Sequence, residues 1–71
     1  MRNARRIRER KEMTLEQVAG RTSIKFSNLS RFERGEVNLG LTKLQELAAF
    51  YDTSIDDLIR EVEPAVQEAQ G

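Results

Sequence analysis

Lys25, Ser27, Asn28 and Arg31 carry the polar groups of one short helical pattern, and their spacing places cationic and amide donors together on one side of it. Arginine and asparagine are the residue types that grip anionic oxygens and pair bidentately with the edges of planar bases. That is chemistry of recognition, not of bond-making. The 71-residue chain has no histidine and no cysteine, which removes imidazole bases, thiolate nucleophiles, disulfides and the usual zinc ligands together. An enzyme would have to work with carboxylates, Lys, Arg, Ser and Tyr51 alone. No Gly-rich phosphate loop, G-x-S-x-G or paired-carboxylate pattern is present. The expectation is a non-enzyme with no cofactor and no metal.

Two elements must position the polar set. Thr14 to Gly35 reads T-L-E-Q-V-A-G-R-T-S-I-K-F-S-N-L-S-R-F-E-R-G, two short amphipathic helices joined by about four residues. Thr14 can cap the first of them, with Gln17 reaching back in a capping box. Leu15, Val18, Ala19 and Thr22 then form one buried stripe, with Gly20 off it. In the second helix, about Phe26 to Arg34, Leu29 and Phe32 point inward while Ser27, Asn28, Arg31 and Arg34 share the other side, and Gly35 is placed as a left-handed stop. This is the shape of a helix-turn-helix, and it makes double-stranded DNA the leading candidate partner.

Charge is distributed to match, although the chain is neutral overall. Residues 1–35 hold ten Lys/Arg against four acids, a net +6, and residues 36–71 hold two against eight, a net −6. A polyanion is drawn to the first half and turned away by the second.

Three further helices complete an all-α, five-helix reading. The first runs from about Arg2 to Lys11 with Ala4 and Ile7 inward. The fourth follows a loop at Glu36 to Gly40 and buries Leu41, Leu44, Leu47, Ala48 and Tyr51. The fifth opens on a Ser54-x-x-Asp57 cap and carries the stripe Ile55, Leu58, Ile59 and Val62. Residues 1–62 are expected to form one domain and 63–71, from Pro64 onward, a short tail that is frayed or assists dimerisation. A core this small is marginal alone, so pairing with a second copy is a physical expectation. The longest apolar run is only a few residues and the N-terminus is charged, so export and membrane spanning are not expected and a cytoplasmic, nucleoid-associated location is.

The chain resembles the phage repressor and Cro type of helix-turn-helix, the XRE family. The resemblance runs from about Arg5 to Ile59 without a gap and rests on M-T-L-E-Q-V-A at 13–19, N-L-S-R-F-E-R-G-E at 28–36 and L-A-A-F-Y-D-T-S-I-D-D-L at 47–58. It implies a compact lambda-repressor-like domain. It also implies that Phe26, Ser27, Asn28 and Arg31 face the major groove, and that Thr14, the amide of Leu15, Arg34 and Asn38 meet the phosphate backbone; Lys25, a cation beside them, is expected to help position that backbone. Arg8 and Glu33 match a partly buried ion pair tying the first helix to the end of the third. The chain departs from the family in carrying Glu12 and Ser23 where glycine is common, positions that would be strained if left-handed. Lys25 replaces the usual Ser or Thr cap, which predicts a late start of the third helix, at Ser27. Phe26 stands where Arg or Gln is common and is open between contact with a thymine methyl and inward packing.

Competing readings are structural. Ser27 and Asn28 also suit a helix start; Arg31 and Arg34 could pair with Glu36; the arginines of the first helix could be a solvated face; Phe32 and Tyr51 are expected in the core. The stripe of Ile55, Leu58, Ile59 and Val62 either completes the monomer or joins two copies, with Leu58 inward and the other three partly available. The function expected is a transcriptional regulator, most simply a repressor, binding a palindromic operator as a homodimer through Phe26–Arg34. The alternative is an interaction module on the same fold, such as an antitoxin-like or antirepressor-binding protein with a regulatory protein partner on its acidic half.

Overall fold

The capping box at Thr14 forms as its residues dictate: Thr14 Oγ1 accepts from the Gln17 amide at 3.1 Å, and Gln17 Oε1 accepts from the Thr14 amide at 2.9 Å. This computed structural model describes residues 1–63. The tail from Pro64 onward lies outside the described residues. Five helices follow one another, α1 (Asn3–Arg10), α2 (Leu15–Arg21), α3 (Phe26–Glu33), α4 (Leu41–Tyr51) and α5 (Ile55–Ile59), with no strand among the described residues.

Val18, Leu29, Phe32, Leu47 and Leu58 are fully buried, with Ala4, Ile24, Ala48 and Tyr51 packed among them. All five helices contribute to this cluster, so no helix can leave it without exposing a face of its neighbours. α1 lies against α5 and α3, α2 against α3, and α4 against α5.

Helix ends obey local chemistry. Gly35 adopts φ +81 and closes α3, its amide donating to Phe32 O at 3.0 Å while the Glu36 amide reaches Arg31 O at 2.9 Å. α1 closes on a left-handed Glu12, φ +58, and α4 on a left-handed Asp52, φ +57. Glu12 therefore carries the strain expected of a non-glycine there. Ser23 is not left-handed. Ser54 caps α5, its Oγ accepting from the Asp57 amide at 3.0 Å.

Several expectations are corrected. α3 starts at Phe26 with Lys25 as a cap that makes no side-chain bond, one residue before the predicted Ser27. Leu41 is 65% exposed because it is the first residue of α4, beyond the reach of the core. α5 ends at Ile59, so Val62 is not on its stripe; the chain is extended there, with the Val62 amide donating to Met1 O at 2.8 Å and an antiparallel bridge between Arg2 and Glu61. Leu58 points inward as expected and is fully buried, so of the stripe named for pairing it is the member with no surface for a second copy. Ile55 and Ile59 are half-buried against the core.

Candidate nucleic-acid interface

α3 is gripped from one side only. Leu29 and Phe32 are fully buried, while Phe26, Ser27, Asn28 and Arg31 are open to solvent, Phe26 at 48% and the Arg31 side chain at 56%. Nearly half of a phenylalanine left in water forgoes roughly 1 kcal/mol of burial, a cost that fits a surface kept for contact. The outer side of α3 thus presents, in order, an aromatic edge, a hydroxyl, a carboxamide and a guanidinium. A helix fits the major groove, and these groups match thymine methyls, base acceptors and phosphate oxygens.

The turn that aims α3 is held from α4. Glu46 accepts from both the Ser23 amide, at 2.9 Å, and the Ser23 hydroxyl, and these bonds hold its carboxyl below the usual carboxylate range. Lys43 donates to the Ser23 carbonyl at 2.9 Å and to its hydroxyl at 2.6 Å. Ile24, 3% exposed, anchors the turn from beneath. None of Glu46, Lys43 and Ile24 stands out in the sequence, because the two charges lie 20 and 23 residues from the Ser23 they hold. The presence of Ser23 in place of a glycine is the one available signal: a hydroxyl there needs partners.

Arg8 and Glu33 lock α1 to α3. The Arg8 Nε and Nη2 donate to the two carboxylate oxygens of Glu33 at 2.9 and 3.0 Å, and Nη1 donates to Met13 O at 2.9 Å. Both side chains are largely buried, at 11% and 4% exposure, and the bond to Glu33 raises the Arg8 pKa still further. Arg8 is thereby withdrawn from the surface available to DNA.

The remaining site residues fall at the rim. Thr14 and Leu15 open α2, Thr14 exposed and Leu15 half-buried. Lys25 is exposed beside Phe26. Arg34 is half-open, its Nε donating to Glu36 at 2.8 Å and its Nη1 to Ser30 Oγ at 2.9 Å. The hydrogen bond between Arg34 and Glu36 raises the pKa of the one and lowers that of the other, and Arg31 lies 4.0 Å from the same carboxylate. Glu36 is therefore the anion that both arginines hold in the free protein. An exposed pair of this kind is held weakly against solvent, so a phosphate can replace it. Asn38, exposed in the loop after α3, accepts from Arg2 Nη2 through its Oδ1. Arg5, Arg8, Leu15, Ser30, Glu33 and Arg34 line a cleft of about 230 Å³ between α1, the start of α2 and the end of α3.

The class follows from this arrangement: a family model described as helix-turn-helix matches residues 5–58, and the chain belongs to that family. Over 59 residues it is 37% identical to the HTH-type transcriptional regulator DdrOP3 of Deinococcus deserti, a match covering 83% of this chain and 46% of that protein. The chain thus spans about half the length of the curated relative it matches. No solved structure matches it.

Among the described residues, no helix is long and apolar enough to cross a membrane.

Proposed function

We propose that the protein is a sequence-specific DNA-binding transcriptional regulator, most simply a repressor, that lays α3 in the major groove. The observation that carries the reading is the one-sided burial of α3, with Leu29 and Phe32 sealed behind it and Arg31 exposed in front. Membership of the helix-turn-helix family supports it. Arg31 reads a base edge with Ser27 and Asn28 beside it; Phe26 supplies an apolar contact; Thr14, the Leu15 amide, Lys25, Arg34 and Asn38 position the backbone.

Two copies pair through Ile55 and Ile59, the members of the α5 stripe that remain partly exposed, and so set two α3 helices one helical turn apart on a palindromic operator.

Selection of bound sequences from a random duplex pool tests the whole reading, since it reports specificity, half-site spacing and symmetry together. On the selected site, Arg31→Ala should cost ~1–3 kcal/mol and relax preference at one base pair. Affinity should fall with salt at a log-log slope near −0.9 per phosphate contacted. Equal losses on selected and random DNA would remove the reading role of Arg31, and a salt-independent affinity would remove DNA as the ligand.

A further inference from the structure

Arg2 sits where three parts of the molecule meet. Its amide donates to Glu33 O, the last carbonyl of α3, at 2.8 Å, and its backbone bridges Glu61 in the extended segment after α5. Its guanidinium carbon lies 4.7 Å from the centroid of the Phe32 ring, on the inner side of α3. Nη1 donates to Ile59 O of α5 at 3.3 Å, and Nη2 donates to Asn38 Oδ1 in the loop beyond α3. Nε is buried with no hydrogen-bond partner among the described residues. A group so enclosed is a fixed part of the structure and not a solvated surface cation.

The bond to Asn38 has a chemical consequence. A carboxamide has one accepting branch and one donating branch, and a guanidinium can only donate. The oxygen of Asn38 must therefore face Arg2, which leaves Nδ2 and its two hydrogens on the other branch of an exposed side chain, with no hydrogen-bond acceptor among the described residues. A phosphate only accepts, so the outward branch is the one of use to DNA.

We propose that Arg2 is a positioning residue of the DNA interface, holding the Asn38 carboxamide with its donors outward to bind a backbone phosphate. The proposal rests on the DNA-binding reading above. Arg2 itself does not touch DNA: its guanidinium is spent on Phe32, Ile59 and Asn38. The contact it prepares is a neutral one, so it adds affinity without releasing a counterion, and this separates it from direct contact by a cation.

The test is a double-mutant cycle on a short random-sequence duplex, which suffices because phosphate contacts are indifferent to sequence. Asn38→Ala should weaken binding about tenfold, the worth of a hydrogen bond to a charged acceptor. Arg2→Lys keeps the cation but not the planar fork that spans Phe32, Ile59 and Asn38, and should reproduce that loss. The double variant should bind no more weakly than Asn38→Ala alone, and the salt slope of Arg2→Gln should equal that of the wild type. Thermal unfolding by circular dichroism identifies folded variants; if Arg2→Gln unfolds, the Arg2→Lys cycle decides. Multiplying losses in the double variant, wild-type affinity in Asn38→Ala, or a slope for Arg2→Gln shallower by ~0.9 would each overturn the proposal, the last by making Arg2 a phosphate ligand itself. Wild-type protein that retains no duplex at low salt would instead remove the DNA-binding reading and this proposal with it.

Discussion

Glu33→Gln is the substitution in which burial, charge and helix packing make one joint prediction. It is isosteric, so it opens no cavity, but it puts an amide that donates opposite a guanidinium that only donates. Arg8 then keeps its charge, at 11% exposure, with one carboxylate oxygen and the neutralising charge both lost. Breaking a buried pair by removing one partner costs ~3–5 kcal/mol, and the partial exposure of Arg8 sets the expectation near ~3 kcal/mol. A domain of this length has only about 4–11 kcal/mol in total. At roughly 4–8 °C per kcal/mol, the melting temperature should fall by about 12 °C or more. Thermal and urea unfolding followed by helical circular dichroism measure this directly. Replacing both partners, as Arg8→Met with Glu33→Leu, should recover a large part of the loss, since neither charge is then buried, although Met13 O loses its donor. A Glu33→Gln protein within ~1 kcal/mol of wild type would refute the reasoning, because the pair would then be no more than a surface contact.

Glu36→Gln should raise affinity for duplex DNA severalfold at low salt, because Arg31 and Arg34 lose their internal anion and the phosphates lose a repelling charge; filter binding or anisotropy would read it, and unchanged or weaker binding would count against the competition described above. Replacing thymine by uracil in a selected site should weaken the wild type but not Phe26→Ala, if the exposed ring meets a thymine methyl; equal losses in both proteins would place Phe26 off the bases. Tyr51 has a buried hydroxyl with no partner among the described residues, so Tyr51→Phe should be neutral or stabilising by up to ~1–2 kcal/mol in urea melts, and a clear loss of stability would point to a hidden partner. Burial also pushes the Tyr51 pKa upward, so the folded state keeps a proton that the unfolded chain releases; this contribution is complete below about pH 10 and is lost as pH rises beyond it, and phenolate absorbance should appear only as the fold melts.

Local rules carried the reading of the helices a long way. The Thr14 and Ser54 caps, the stop at Gly35 and the inward pair Leu29 and Phe32 depend on groups within a few residues of one another, so their spacing along the chain already contains the physics. The strain at Glu12 was legible only through the resemblance, which puts glycine at that position. What failed was continuation: a stripe ending at Val62 looks helical by period, yet α5 stops at Ile59 because the chain beyond it finds backbone partners in Met1 and Arg2. Those partners lie about sixty residues away, and no periodicity records them.

The candidate site divides along the same line. Its chemical inventory, an aromatic, hydroxyl, amide and guanidinium along one helix of a chain without histidine or cysteine, is a property of the residues and their 3.6-residue period, and sequence alone determined it. The resemblance already implied the Arg8–Glu33 tie between α1 and α3, but the rest of the orientation of that helix was decided only in three dimensions, where Glu46 and Lys43 hold the turn and Arg2 joins α3 to α5. Helical periodicity is set by neighbours four residues apart, whereas the aim of a helix is set by charges and carbonyls brought together by the core, and these meet only after the chain has folded.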